Sequence, residues 1–201
     1  MNKTEAREKA ADTLAGESKI RRLSRRERTE NALIDAATEV FLQHGYDGAT
    51  TGEIARVAGV AAGTFYLYFE DKRAAYVAVS TRVAHDLLGQ MREVIEPGMS
   101  VARLARITLE LVSEFWRAHP ALTRLILSGG PALGMADEEE GAFVDEVRDT
   151  IDEAGVAQGE QAMGLALYLV GLGQQLGHLI VARPGARAEA DSLIALAADR
   201  L

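Results

Sequence analysis

Residues 50–72, TTGEIARVAGVAAGTFYLYFEDK, decide how the chain is read. The stretch reads as two short helices joined by a tight turn. The first would run from Thr51 to about Ala58, with Thr50 or Thr51 as the hydroxyl N-cap and Glu53 in the first turn, where a negative charge suits the helix dipole. Gly59 then ends it, because glycine accepts the left-handed backbone of a helix stop. Val60 plugs the turn. A second helix, from about Ala61 to Phe69, places Phe65 and Phe69 on one side and leaves Thr64, Tyr66 and Tyr68 for the other. This is the helix-turn-helix pattern, in which the second helix is offered to the major groove of DNA. A pair of helices joined at a glycine also occurs in helical proteins that never touch DNA, so the spacing alone leaves both readings open.

Around this stretch the helical periodicity continues in both directions. Upstream, Leu33, Ala36, Ala37, Val40 and Phe41 recur at helical spacing in a helix that would begin near Ser24 or Thr29 and stop at Gly45. Leu33, Val40, Phe41, Ile54, Val60, Phe65 and Phe69 would then share one small core. Downstream, Arg73 to Glu96 is closed by Pro97 and Gly98, and Ser100 can cap a helix reaching Ala118. Pro120 suits the first turn of the next helix, which ends before a glycine-rich link. Asp137 to Ala154, Glu160 to Val181 and Ala186 to Asp199 complete the set. The expected fold is all-α with about nine helices. Residues 1–23 would be a charged tail, 24–72 a three-helix domain with the helix-turn-helix at about 50–69, and 73–201 a larger helical domain.

Composition narrows the function classes. The chain has 201 residues and 48% hydrophobic content, which suits a globular core. It contains no cysteine, which removes disulfides and thiolate metal sites and agrees with a cytosolic location. The first 28 residues are polar and charged rather than a signal peptide, and no apolar run is expected to approach the length of a membrane span, so no membrane partner is expected. The net charge of −8 is unevenly placed: residues 1–80 hold 12 basic and 12 acidic side chains, so the whole negative excess lies beyond residue 80. DNA binding by a neutral first half depends on where its cations point.

The segment AATEVFLQHGYDGATTGEIARVAGVAAGTFYLYFEDKRAAYVAV resembles the DNA-binding region of TetR-type transcriptional regulators (AcrR-like) over roughly fifty contiguous residues. The match includes Phe41, Gly45-Tyr46, Ile54-Ala55, Ala58-Gly59-Val60, Gly63, the Phe65-Tyr66-x-Tyr68-Phe69 box and Lys72. The resemblance implies a DNA-binding regulator of transcription that acts as a homodimer on a palindromic operator in double-stranded DNA. It also implies release by a small-molecule effector, without a cofactor. On matching positions it makes Thr51, with Thr50, a phosphate site at a helix start. Tyr66 and Tyr68 become groove and phosphate contacts, and Lys72 a phosphate clamp. Gly63 would let the backbone come close, and Thr64 would touch a base edge or a thymine methyl. Ala62 is counted with this set. Ala61 and Ala62 nonetheless stand where many relatives have serine and a basic or polar residue, and Ala49 replaces a common threonine. Side-chain readers of guanine are therefore scarce, and specificity falls to methyl contacts, tyrosines and DNA shape.

For the second domain the resemblance implies a pocket among the fourth to seventh helices. Leu88, Met91, Ile107, Leu111, Phe115, Trp116, Leu125, Ile126 and Phe143 could line it, with His85, Arg82 and Thr108 orienting a ligand; the same residues also suit plain core. The eighth helix contains Gly164, Gly171, Gly173 and Gly177, each costing about 1 kcal/mol relative to alanine. Leu165, Leu169, Leu172, Leu176 and Ile180, with Leu193 on the ninth helix, are read as a dimer interface. The alternative is that this pair of helices closes the core of one chain. His44, His85, His119 and His178 lack metal-ligand spacing, and no metal site is expected. No nucleophile-base pair, paired carboxylates or phosphate loop points to an enzyme. A helical small-molecule-binding protein without operator recognition remains the alternative to a regulator. The basic cluster Lys19, Arg21, Arg22, Arg25, Arg26 and Arg28 reads either as the end of a solvated tail or as an arm on DNA. If it is an arm, deleting residues 1–22 weakens DNA binding and flattens its salt dependence, measured as affinity against salt concentration; an unchanged slope excludes the arm.

Overall fold

The structure, a computed structural model, describes residues 25–128, 137–183 and 185–198. The expected tail, the Ser24 cap, the glycine-rich link at 129–136 and Pro184 lie outside those residues. Among the described residues there are nine helices and no strand: α1 Arg25–Gly48, α2 Thr51–Val57, α3 Ala62–Phe65, α4 Lys72–Val94, α5 Val101–Ala118, α6 Pro120–Ser128, α7 Asp137–Glu153, α8 Glu160–Ala182 and α9 Arg187–Ala198.

The punctuation of these helices follows local chemistry. Gly45, at φ 68° and ψ 173°, breaks the helical path within α1, and Gly59 takes φ 69° in the turn after α2. Both are backbone conformations that a Cβ penalises, which is why glycine stands there. Three N-caps are side-chain hydroxyls or a carboxylate: Thr50 accepts from the Glu53 amide, Asp71 from Ala74 and Ser100 from Arg103, whereas Ala61 before α3 and Gly159 before α8 supply none. At the α5–α6 corner the buried Thr123 hydroxyl donates towards the Trp116 and His119 carbonyls at 2.9 and 2.8 Å, satisfying groups that the end of α5 would leave open.

Two main buried clusters form. In the first, α1, α2, α3 and the start of α4 bury Leu33, Val40, Phe41, Ile54, Phe65, Phe69, Tyr76 and Val79, while Val60 stays partly exposed. Phe41, Tyr46 and Tyr76 make a three-ring contact with centroids 5.3–5.8 Å apart. The second cluster takes Leu88 and Met91 from the end of α4, Leu104 and Leu109 from α5, Val147 and Ile151 from α7, Leu165, Leu169 and Leu176 from α8 and Ile194 from α9. Helix α4 thus serves both clusters. The Tyr76 ring belongs to the first cluster, and its hydroxyl donates to Leu125 O on α6 at 2.5 Å. Burial pushes the Tyr76 phenol up to about 12, with the neighbouring Ser80 hydroxyl opposing the shift.

The structure corrects two sequence expectations about α8. By length and composition alone this helix is apolar enough to cross a membrane, with a mean hydropathy of 1.5 over its best window, so an apolar run of that length does exist. Its Leu165, Leu169, Leu176 and Ile180 are, however, buried against the chain's own helices, and Gln174, Gln175 and His178 are exposed. These four leucine and isoleucine side chains are therefore not the free face expected for a dimer; Leu172 is half-buried beside them. The apolar side chains left outside are Leu167 on α8 and Leu193 and Leu196 on α9.

The glycines of α8 divide in the same way. A Cβ on Gly177 would stand 2.2 Å from Leu127 Cδ1 and 3.0 Å from Trp116 Nε1, and one on Gly173 would stand 3.3 Å from Val112 Cγ1. The bare backbone lets the Trp116 indole lie on α8 and donate to Gly173 O at 3.2 Å. Gly164 and Gly171 have open space instead. Gly177→Ala is expected to destabilise the protein by about 1–3 kcal/mol through overpacking. Gly89→Ala, at an open site within α4, is expected to stabilise it by roughly 0.5–1 kcal/mol. Thermal denaturation of both variants checks the pair, and an unchanged Tm for Gly177→Ala contradicts the packing argument.

Candidate DNA-binding surface and ligand cavity

Helix α3 is shorter than the sequence suggests. It spans Ala62–Phe65, and residues 66–68 continue it as tight turns through Leu67 N to Thr64 O at 3.1 Å and Tyr68 N to Phe65 O at 3.0 Å. The tighter winding buries Phe65 and Phe69 together, with ring centroids 5.6 Å apart, and turns Tyr66 and Leu67 outward at 58% and 73% exposure. Ala61, Ala62 and Gly63 are exposed as well, and Thr64 is half-buried. Thr51 Oγ1 and Tyr66 Oη lie 3.0 Å apart, so the start of α2 and the outward side of the recognition segment form one hydroxyl-bearing surface. The N-terminal amides of α2 open onto the same end, with Thr50 as cap.

Two cations near this surface have different surroundings. The Arg26 guanidinium sits 5.7 Å from the centre of the Tyr68 ring, which brings the start of α1 beside the recognition segment. Lys72, expected as a phosphate clamp, points its ammonium back into the domain. Nζ donates to the carbonyls of Tyr46, Asp47 and Ala49 at 2.7, 3.3 and 3.1 Å and lies 4.5 Å from the centre of the Tyr46 ring. An ammonium has three N–H donors, and all three are engaged. In this arrangement Lys72 pins the turn that follows Gly45 to the start of α4. Burial and the nearby Asp71 carboxylate raise the Tyr46 phenol above its ordinary value.

A cavity of about 590 Å³ lies between α4, α5, α6, α7 and α8. Of the residues expected to line a pocket, Leu88, Met91, Thr108, Trp116, Ile126 and Phe143 do so. Ile107, Leu111 and Phe115 do not, and neither does Leu125, whose carbonyl receives the Tyr76 hydroxyl. His85 and Arg82 lie elsewhere. His85 faces Glu146 at 3.4 Å, and Arg82 is drawn to α1, where it meets Asp35 at 2.5 Å and Asn31 at 2.7 Å. Leu169, expected at a dimer interface, is part of the cavity wall. The wall also contains Ser80, Val83, Leu87, Val112, Leu127, Glu140, Gln174 and His178, which periodicity and residue type do not single out. A polar signal is present in Gln174 and His178, four residues apart on α8, but nothing in the sequence says which arc of α8 faces inward.

Residues 33–79 match the family described as bacterial regulatory proteins, tetR family. The match runs from Leu33 in α1 through the helix-turn-helix to Val79 in α4. The HTH-type transcriptional regulator RutR of Escherichia coli (strain K12) is 30% identical over 123 residues, covering 58% of this chain and 57% of that protein. The chain thus spans a little over half the length of these curated relatives. Among solved structures, a TetR transcriptional regulator from Rhodococcus sp. RHA1 superposes with a TM-score of 0.69 at 24% identity, covering 89% of this chain and 96% of that one. The regulator FadR from Bacillus subtilis in complex with stearoyl-CoA gives 0.61 at 18% identity, covering 85% and 98%. At these identities the structural likeness establishes the all-α fold.

Within the segment that matches the tetR family, Tyr66 and Lys72 respond differently to substitution because one faces solvent and the other is committed inside. Tyr66→Ala is expected to leave stability within about 0.5 kcal/mol of the original, while Lys72→Ala, which orphans three carbonyls, is expected to cost about 2 kcal/mol. Thermal denaturation separates the two, and equal Tm values contradict the assignment of Lys72 as a pin.

Proposed function

We propose that the protein is a cytoplasmic transcriptional repressor that binds a palindromic operator as a homodimer and leaves it when an apolar or amphipathic small molecule enters the cavity. The reading rests on one observation above the others: Thr50, Thr51, Tyr66 and Leu67 form an exposed surface on a rigid buried core within a tetR-family domain. Thr51 and the α2 amides hold one phosphate, Tyr66 and Tyr68 enter the groove with Gly63 and Thr64, and Arg26 meets the backbone alongside. Lys72 fixes the segment from which α2 departs, so its contribution to DNA affinity is by positioning.

The second copy seats on the face left open by the monomer. Leu167, Leu193 and Leu196 supply apolar contact there, and Gly164 and Gly171 allow the two α8 helices to approach closely. In the FadR structure the ligand is stearoyl-CoA, which supports a small-molecule role for a cavity in this fold. Transmission to DNA runs through α4 and α6. Ile126 and Leu127 form part of the cavity wall, and the preceding carbonyl, Leu125 O, accepts the hydroxyl of Tyr76, whose ring is packed in the DNA-binding core. A ligand that displaces α6 changes the seat of Tyr76 and with it the tilt of the DNA-binding domain. The separation of the two recognition segments then no longer matches the operator half-sites.

Fluorescence anisotropy of the purified protein against labelled duplexes tiling the DNA around its own gene, with scrambled duplexes at the same salt, tests the regulator reading. Tight binding to one palindromic tile is expected, lost in Tyr66→Ala and retained in Tyr76→Phe but without release by ligand. Binding to every tile, and to random-sequence pools, no tighter than to scrambled DNA favours a ligand-binding protein without operator recognition.

A further inference from the structure

The cavity wall has a charge character that apolar lining alone does not require. Among its described residues Glu140 is the one carboxylate, and there is no lysine or arginine. Residues 129–139, which precede Glu140, contain no basic residue either. Among the described residues, the side-chain hydrogen bond that Glu140 accepts comes from the neutral amide of Gln174, at 3.3 Å, and no cation is paired with it. Two hydroxyls on the same wall are also without partners. Thr108 Oγ1 and Ser80 Oγ are buried, at 7% and 4% exposure, and neither makes a hydrogen bond. Ser80 lies beside Tyr76, whose own proton goes to Leu125 O, so the serine can point its proton at the phenol and keep its oxygen free to accept.

We propose that the cavity selects an organic cation, a basic amine on an apolar body, and discriminates against anionic amphiphiles such as fatty acids and their thioesters of coenzyme A. The proposal rests on the cavity being the effector site. An anion entering this space meets an opposing carboxylate and, among the described residues, no lysine or arginine to balance its charge, even where the wall's hydroxyls donate to it. An ammonium finds the Glu140 carboxylate as counter-charge and, in Ser80 and Thr108, oxygens able to accept its N–H groups. The surrounding field works in the same direction, because all eight excess negative charges lie beyond residue 80. The aromatic wall supplied by Trp116 and Phe143 suits a cation too. The stearoyl-CoA of the FadR structure belongs to the opposite charge class, so the shared fold does not carry a shared ligand class.

Trp116 is the only tryptophan in the chain and lies in the cavity wall, which makes its emission a direct reporter. Decylamine, 1-decanol and decanoate, matched in apolar length and kept below aggregation, are titrated into the purified full chain at pH 8, where the alkylammonium and the alkyl carboxylate are both charged. Decylamine is expected to bind on the order of tenfold more tightly than decanoate, with decanol between them. Glu140→Gln is expected to remove most of the amine's advantage and leave decanol unchanged, which also shows that the variant is folded. Decanoate binding as tightly as decylamine, or an amine preference untouched by Glu140→Gln, overturns the inference and leaves the cavity as an effector site. Failure of all three probes to change Trp116 emission or thermal stability overturns both.

Discussion

One helix belongs to two cores, and this constraint shapes the rest of the molecule. The 23 residues of α4 span about 35 Å as a continuous helix. Ala75, Tyr76 and Val79 are buried with the DNA-binding helices, whereas Leu88 and Met91 are buried with the larger bundle. A continuous helix cannot be bent freely in the middle, since its backbone hydrogen bonds close on themselves every four residues. A displacement at one end is therefore felt at the other as a rotation or a tilt. Between the two buried ends, Ser80, Val83, Ala84 and Leu87 face the cavity. The cavity thus sits on the part of the helix that neither core fills completely.

Helix α6 is the second connection and has a different character. Its nine residues leave Leu122 and Leu125 partly buried against the first cluster, while Ile126 and Leu127 reach the cavity. Its polar tie to α4 is the Tyr76 hydroxyl, and the Arg82 contacts with Asp35 and Asn31 tie α4 to α1 nearby. Exposed ion pairs are worth little, typically below about 1 kcal/mol. The buried phenol is the stronger tie: a hydroxyl on a side chain with no exposure has no water to turn to if Leu125 O moves away.

The helix boundaries are legible in the residues because punctuation is local. Gly45, Gly59, Pro97-Gly98 and Pro120 act through their own φ, or through a missing N–H, and need no tertiary context. The core of the first cluster is legible for a related reason: Phe41 and Ile54 lie on helices with one apolar side each, and Phe65 and Phe69 follow four residues apart. Helix α8 is not. It is apolar around much of its circumference, so periodicity cannot say which arc meets the chain's own helices. Leu165, Leu169 and Leu176 read as outward and are inward, while Leu167 is the one left outside. The length of α3 and the direction of Lys72 are hidden as well. Both depend on packing against Tyr46 and Phe69, contacts that join residues far apart in the chain or wound more tightly than an α-helix.

The glycines of α8 show how one composition can answer two demands. Four glycines in one helix cost stability wherever they point, about 1 kcal/mol each. Gly173 and Gly177, four residues apart, face Val112, Trp116 and Leu127, and there the missing Cβ admits an indole whose N–H reaches the helix backbone. That contact needs no second chain. Gly164 and Gly171, seven residues apart, would have no neighbour within 4 Å of an added Cβ, and they flank the exposed Leu167. Within the monomer nothing offsets their cost. The inner pair is explained by the wall of the cavity, whereas the outer pair leaves room for close approach of another helix, so a packed face and an open face lie on opposite sides of a single element.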